Sequence, residues 1–169
     1  GLAAGAAFAM GRPFIGALVA AVSQVLDGVD GQLSRRTGKA SAAGAFLDSC
    51  LDRYSDGALV LGLLINELRS SPDDVAGFIL TVGAFALIGS GLISYSSARA
   101  DSLSLDTGKP TLASKGTRTT VVVVAGLLSP VIPLMPFLAL CYLAIHTNVV
   151  VFLRILRVFQ GENRVLRPR

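Results

Sequence analysis

The segment Val75 to Ala98, VAGFILTVGAFALIGSGLISYSSA, runs for 24 residues without a charged side chain. A helix of about 20 apolar residues crosses the hydrocarbon core of a bilayer, which is roughly 30 Å thick. The whole chain has this character, because 52% of its 169 residues are hydrophobic, only 15% are charged, and the mean hydropathy is +0.64. A soluble domain typically carries about 25% charged residues. The sequence therefore favours an integral membrane protein over a soluble domain, a disordered chain, a coiled coil or a disulfide scaffold.

Other apolar segments extend this pattern to about six helices. Thr119 to Leu153 is uncharged over 35 residues, and the prolines near its middle predict two helices joined by a tight turn. Pro13 to Leu26 and Gly57 to Asn66 reach spanning length only when the neighbouring aspartates belong to the same helices. Continuous apolar runs are typical of membrane helices rather than of barrel strands. We therefore predict an all-α bundle of about six transmembrane helices.

The chain begins inside a short apolar run, Gly1 to Met10, with no basic segment before it. This run is too short to cross a bilayer and lacks the features of a signal peptide. We expect it to be the remainder of a truncated first helix. On this interpretation residues 1–169 form a single transmembrane domain, which is a fragment or the C-terminal part of a longer chain.

The positions of lysine and arginine predict the orientation. Arg12 and Arg69 fall on one side of the six-helix layout and Arg53 lies within a helix, whereas the other twelve fall on the opposite side. Such an excess is typical of cytoplasmic loops, so we predict a protein of the cytoplasmic membrane with this side facing the cytoplasm. The twelve residues are Arg35, Arg36, Lys39, Arg99, Lys109, Lys115, Arg118, Arg154, Arg157, Arg164, Arg167 and Arg169.

Five aspartates lie where two predicted helices reach this side. Asp27 and Asp30 are three residues apart, and Asp48, Asp52 and Asp56 follow at four-residue spacing. Either spacing places carboxylates on one helix face. A charge at the centre of a bilayer helix costs about 2.5–3.5 kcal/mol, and clustered anions repel one another, so the cluster needs cations that neutralise it. Hard divalent cations such as Mg²⁺ prefer oxygen ligands of this kind.

Two other interpretations of these aspartates remain open. They are surface residues scattered by chance at helix ends, or they line the ion pathway of a membrane cation transporter. Chance placement does not account for the regular spacing. An ion pathway does not account for the glycines and the arginine that lie among the aspartates.

The glycines and the arginine complete a pattern that runs from residue 27 to residue 52. It reads Asp27-x-x-Asp30-Gly31-x-x-Ser34-Arg35, then eight residues, then Gly44-x-x-x-Asp48-x-x-x-Asp52. This pattern resembles the signature of the CDP-alcohol phosphotransferase family, D-x-x-D-G-x-x-A-R-x8-G-x-x-x-D-x-x-x-D. Every fixed position matches except Ser34, where the family usually has alanine.

The resemblance implies a membrane enzyme that transfers a phospho-alcohol group from a CDP-alcohol to a hydroxyl acceptor and releases CMP. It also implies that two divalent ions, Mg²⁺ or Mn²⁺, clamp the reacting oxygens. The implied metal ligands are Asp27, Asp30, Asp48 and Asp52, and Asp52 is also the implied general base. Asp56, one turn further on, is expected to support the metal site rather than to pair with Arg53.

The family resemblance also implies a site for the CDP group. Its implied residues are Asp27, Gly31, Ser34, Arg35 and Gly44. The guanidinium group of Arg35 offers a planar fork for a pyrophosphate, and glycines allow the nucleotide to approach the backbone closely. Small residues also pack membrane helices together, and for Gly44 that alternative is equally open.

The acceptor is expected to carry a phosphate, as in family members that use inositol phosphate or glycerol phosphate. The candidate acceptor-binding residues are Arg99, Lys115, Arg118 and Arg154. The alternative is that these cations set the orientation and contact anionic lipid. The donor is either CDP-diacylglycerol, which gives a phospholipid, or a CDP-polyol such as CDP-inositol, which gives a soluble phosphodiester.

Membrane lipid and a second copy of the chain are the other expected partners, and nucleic acid is not among them. Family members are typically homodimers. Two pairs of small residues, Gly1 with Gly5 and Gly83 with Gly91, offer faces on which copies of the chain would pack.

Overall fold

In the computed structural model of the protein, residues 1–37, 41–107 and 115–165 are described, except for the side chains of residues 29–37 and 161–165. These described residues form six α-helices and no strand. The helices are α1 (Leu2–Ala9), α2 (Pro13–Thr37), α3 (Ala42–Ser70), α4 (Asp73–Ser102), α5 (Lys115–Leu128) and α6 (Met135–Val165). The predicted all-α class and the order of one short helix followed by five longer ones are confirmed.

Two of the described helices are long and apolar enough to cross a membrane by length and composition alone. The most apolar 18-residue stretch has a mean hydropathy of 2.1 in α4 and of 1.9 in Met135–Gln160 of α6. Their outer faces expose large apolar side chains, including Phe78 and Phe85 on α4 and Ile145 and Phe152 on α6. Exposed apolar surface of this extent is explained by lipid contact, so the bundle is a membrane-type helical fold.

Capping residues and prolines set the helix boundaries. Ser41 caps α3, because its Oγ accepts a hydrogen bond of 3.0 Å from the backbone N–H of Gly44. In the long uncharged segment, α5 ends at Leu128 and α6 begins at Met135. Pro136 lies in the first turn of α6, where a missing backbone N–H leaves no hydrogen bond unmade. The predicted division of this segment into two helices is confirmed.

The core of the bundle lies where α1, α3, α5 and α6 meet. Phe8, Leu63, Val122, Leu140 and Leu143 are fully buried there. Around this core α1 packs against α2 and α3, α2 packs against α5, and α4 packs against α3 and α6. Helices α2 and α3 carry the aspartates of the family pattern. In the described part of the chain they make few direct contacts, because α1 and α5 occupy the adjoining face of α2.

The backbones of α1 and α3 approach each other closely at two glycines. A Cβ atom on Gly5 would overlap the carbonyl group of Ala58, and a Cβ atom on Gly62 would overlap the backbone of Gly5. Only residues without a side chain allow this separation. The contact fixes α3, and with it the aspartates that α3 carries.

Four glycines were expected to pack between copies of the chain, and three of them instead pack against other helices of the same bundle. Gly1 and Gly5 face α3, and Gly83 faces the side chain of Leu64. Gly91 has no described atom within 4 Å of the position that a Cβ would take. The expectation of a dimer face is therefore wrong for Gly1, Gly5 and Gly83.

Candidate functional site

A cavity of about 950 Å³ lies between α3, α4, α6 and the start of α5. Its charged wall includes Asp52 and Asp56 from α3, Lys115 and Arg118 from α5, and Arg154 from α6. Sites for small molecules typically have volumes of about 300–1,000 Å³ and a few convergent polar groups. The cavity therefore has the size and the lining of a site for a small charged molecule.

Lys115, the first residue of α5, joins two of the predicted metal ligands. Its Nζ donates to Oδ2 of Asp27 at 2.7 Å and to Oδ1 of Asp52 at 2.5 Å. Burial lowers the pKa of Lys115, but the two carboxylates raise it by more, so its pKa lies above the ordinary value. Lys115 therefore stays positively charged and connects the acidic end of α2 to α3.

The carboxylates of Asp27 and Asp52 thus already share one cation, the ammonium group of Lys115. Oxygen ligands from two helices around a single positive charge fit the chemistry of a divalent ion. Asp48 lies exposed one turn before Asp52, and the side chain of Asp30 lies outside the described residues. Among the described side chains no three acidic, histidine or cysteine groups converge as a metal-binding set. The four-aspartate metal site therefore stays a prediction.

The other residues predicted to hold the CDP group follow Asp27 on α2 or precede Asp48 on α3. Gly31, Ser34 and Arg35 belong to α2, and their side chains lie outside the described residues, so their roles stay predictions. Gly44 is exposed in the first turn of α3, and only Oγ of Ser41 lies within 4 Å of the position of a Cβ atom. No described helix packs against Gly44, and both interpretations of this glycine stay predictions.

Arg118 lies one turn after Lys115 and is held in a fixed direction. Its side chain is only 6% exposed, and Nη2 donates to Oδ2 of Asp56 at 2.6 Å. Nη1 donates to the backbone carbonyl of Ser90 at 3.5 Å. We expected Asp56 to support the metal site. It instead pairs with Arg118, and it lies 3.8 Å from Nη2 of Arg53.

Arg154 is held by uncharged oxygen atoms. Its Nη1 lies 2.7 Å from the carbonyl oxygen of Ile93, 2.9 Å from Oγ of Ser96 and 2.8 Å from Oγ of Ser97. Within the described part of the chain no carboxylate pairs with it. Its positive charge therefore lies on the cavity wall, and none of the described carboxylates neutralises it.

Arg99, the fourth predicted acceptor-binding residue, does not belong to this group. It is exposed near the end of α4, where its Nη1 donates to Oγ of Ser102 at 3.5 Å. It does not line the cavity. The structure thus brings Lys115, Arg118 and Arg154 together beside Asp52, and it leaves Arg99 outside.

Two glycines on the cavity wall were missed by the sequence analysis. Gly57 of α3 and Gly91 of α4 line the cavity, and no described atom lies within 4 Å of the position that a Cβ would take on either. A larger residue at either position would project into open space. In the sequence, the one indication that either glycine lies at the site is that Gly57 directly follows Asp56.

Comparison with known proteins identifies the family. Residues 2–158 match the family model described as CDP-alcohol phosphatidyltransferase. The chain belongs to the CDP-alcohol phosphatidyltransferase family. The resemblance drawn from the aspartate pattern is therefore confirmed. The family consists of metal-dependent transferases, so the match supports a transferase and not the alternative of a cation transporter.

Relatives of this CDP-alcohol phosphatidyltransferase family member are named for inositol phosphate chemistry. The archaetidylinositol phosphate synthase of Pyrococcus horikoshii is 33% identical over 73% of this chain and 61% of its own length. The phosphatidylinositol phosphate synthase of Streptomyces avermitilis is 33% identical over 68% of this chain and 46% of its own length. The chain thus spans between about half and three-fifths of these curated relatives.

A solved structure shares the fold of this family member. The crystal structure of Mycobacterium tuberculosis phosphatidylinositol phosphate synthase, with CDP-DAG bound, superposes with a TM-score of 0.78 at 26% identity. The match covers 94% of this chain and 80% of the other. The described helices therefore share the fold of a phosphatidylinositol phosphate synthase whose structure is known.

Proposed function

We propose that the protein transfers a phosphatidyl-type group from CDP-diacylglycerol, or a similar CDP-lipid, to a hydroxyl group of inositol phosphate and releases CMP. One observation carries this proposal. Asp52, the motif position expected to act as a base, shares a cavity with Lys115, Arg118 and Arg154. A base beside fixed cations is what a phosphorylated alcohol requires of its binding site.

The identity of the substrates is supported by the relatives. Two of them are named as inositol phosphate synthases, and a structural neighbour holds CDP-DAG. The charge distribution in the cavity agrees with a phosphorylated acceptor. Arg118 is largely neutralised by Asp56, whereas Arg154 keeps its full charge, so Arg154 is the strongest candidate for binding the acceptor phosphate.

Metal ions are proposed as part of the site. Asp27, Asp30, Asp48 and Asp52 would hold Mg²⁺ or Mn²⁺, two ions in all. When bound, these ions would supply Lewis-acid stabilisation of the charge that develops on the phosphate oxygens.

The protein's own residues orient the acceptor and accept its proton. Arg154, with Lys115 and Arg118, would bind the acceptor phosphate and direct a hydroxyl group toward the phosphorus that carries the lipid alcohol. A new P–O bond forms to that hydroxyl oxygen, and the bond from the same phosphorus to the CMP oxygen breaks. Asp52 would accept the hydroxyl proton, and CMP leaves with the bonding electron pair.

An assay with two donors and several acceptors tests this proposal. The purified protein in lipid vesicles with Mg²⁺ receives CDP-diacylglycerol or CDP-inositol, each with radiolabelled inositol phosphate, glycerol phosphate or free inositol. We expect a labelled lipid and CMP only from CDP-diacylglycerol with inositol phosphate. A water-soluble product from CDP-inositol would assign the other donor class. Equal use of free inositol would contradict recognition of the acceptor phosphate.

Location and assembly are proposed on more general grounds. We propose that the protein lies in the cytoplasmic membrane with the aspartate cluster at its cytoplasmic face. Arg99, Lys115, Arg118, Arg154 and Arg157 lie near this end, as the positive-inside rule requires. We also propose a homodimer, which cross-linking in native membranes would test.

A further inference from the structure

Lys115 belongs to two groups of residues at once. Its Nζ contacts Asp27 and Asp52, which are proposed metal ligands, at 2.7 and 2.5 Å. The same side chain lines the cavity with Arg118 and Arg154, the proposed site of the acceptor phosphate. One cationic group therefore lies on the border between the two halves of the site.

The ammonium group and a divalent ion would compete for the same two carboxylates. Lys115 contacts Oδ2 of Asp27 and Oδ1 of Asp52, so a divalent ion bound by the same two carboxylates would lie beside its ammonium group. The two cations would also repel each other. This repulsion is stronger in a partly buried site than in bulk water, and it is larger for a divalent ion than for a monovalent one. This repulsion favours the departure of the ammonium group when a divalent ion binds the two carboxylates.

We propose that Lys115 and the divalent ion are alternative partners of Asp27 and Asp52, and that Lys115 turns toward the acceptor phosphate when the ion binds. This inference rests on the proposed function. The side chain of Lys115 has a flexible four-carbon stem, whereas Arg118, one turn later on the same face of α5, is fixed by Asp56. Of these two cations, Lys115 is the one that can move between the carboxylates and the cavity while α5 stays in place.

Two consequences follow for the protein as a whole. In the absence of a divalent ion, Lys115 neutralises the two carboxylates and stabilises the contact between α2, α3 and α5. When the ion binds, the positive charge of the cavity increases, so the ion and the acceptor phosphate bind with positive coupling. Such coupling is reciprocal, because each ligand changes the affinity for the other by the same factor.

Measurement of Mn²⁺ affinity in the absence of both substrates tests the competition. We expect Lys115→Gln to bind Mn²⁺ about 10-fold more tightly than the wild-type protein, because a charge-assisted contact no longer has to be broken. Arg53→Gln is the matched control, since Arg53 lies 3.8 Å from a carboxylate oxygen of Asp52 and does not touch Asp27. Unchanged or weaker Mn²⁺ binding by Lys115→Gln, or an equal gain in Arg53→Gln, would overturn the inference.

A second measurement uses the wild-type protein and needs no variant. The rate of acetylation of Lys115 is followed by mass spectrometry with and without Mn²⁺, and Lys39 and Lys109 serve as internal references. We expect Mn²⁺ to raise the labelling of Lys115 several-fold relative to the references, and added inorganic phosphate to reverse that rise. Labelling that Mn²⁺ leaves unchanged or lowers would overturn the inference. Neither measurement depends on turnover, so a failure of the proposed reaction would be seen separately.

Discussion

Arg118 of α5 and Asp56 of α3 form a buried ion pair in which Nη2 lies 2.6 Å from Oδ2. The two side chains are 6% and 10% exposed, and both line the cavity. The pair joins two helices that otherwise make only a small contact, and it fixes the direction of one of the three cavity cations. It therefore has a structural role that can be measured apart from catalysis.

Asp56→Ala should strongly destabilise the protein. Removal of one partner leaves the Arg118 guanidinium buried without its counter-charge, which typically costs about 3–5 kcal/mol. Thermal unfolding in detergent measures the effect, with Asp101→Ala, an exposed residue on the same cavity, as the control. The double variant Asp56→Ala with Arg118→Ala should recover part of the loss. Equal melting temperatures for Asp56→Ala and the wild-type protein would contradict the structural role of the pair.

Asp52→Asn should lower kcat by at least about a hundredfold. The substitution keeps the shape of the side chain and removes the basicity that general base catalysis needs, and such groups typically contribute 10²- to 10⁴-fold. Steady-state CMP release measures the effect. Asp74→Asn, in the first turn of α4, is the control and should retain wild-type kcat. Near-normal turnover by a folded Asp52→Asn protein would show that another group accepts the proton.

Arg154→Ala should raise the KM of the acceptor about 10- to 150-fold and leave the KM of the CDP-donor unchanged. A hydrogen bond to a charged group contributes about 1.5–3 kcal/mol, and the loss appears in KM when ground and transition states are affected equally. Arg99→Ala is the matched control, because Arg99 is exposed and lies off the cavity. If both variants change the acceptor KM alike, the cavity is not the site of the acceptor phosphate. Arg35→Ala should instead weaken the binding of the CDP-donor.

Chelation of divalent ions should abolish activity, and Mg²⁺ or Mn²⁺ should restore it. The same ions should raise the melting temperature, because a ligand that binds only the folded state stabilises it by about 2.7 kcal/mol at a concentration of 100 times its Kd. Differential scanning calorimetry of the protein with and without Mn²⁺ measures this shift in melting temperature. Full activity in chelator, with the metal content confirmed as nil, would be incompatible with the proposed site.

The sequence predicts the helices well because their signals are local. Uncharged length identifies α4, and the prolines between α5 and α6 divide a segment that composition alone would leave whole. The spacing of Asp48, Asp52 and Asp56 on one face of α3 is equally local. The family pattern is also confined to one stretch of chain, so it needs no knowledge of tertiary structure.

Contacts between helices could not be predicted in this way. The pairing of Lys115 with Asp27 joins residues 88 positions apart, and periodicity within a helix does not say which neighbour its polar face meets. The same limit applies to Arg99 and Arg154, which look alike as cations at helix ends. Packing of α4 against α6 places Arg154 beside Ser96 and Ser97 on the cavity wall and leaves Arg99 exposed.

We propose that inositol phosphate accepts the phosphatidyl-type group of a CDP-lipid at this cavity. Its most direct measurement is the ³¹P NMR spectrum of a reaction that contains the protein in vesicles, CDP-diacylglycerol, inositol phosphate and Mg²⁺. We expect one CMP and one phosphodiester-linked lipid to form together, at rates that Asp52→Asn and Arg154→Ala both reduce. CMP formation without the lipid product, or no CMP from folded protein with any phosphorylated acceptor, would contradict it.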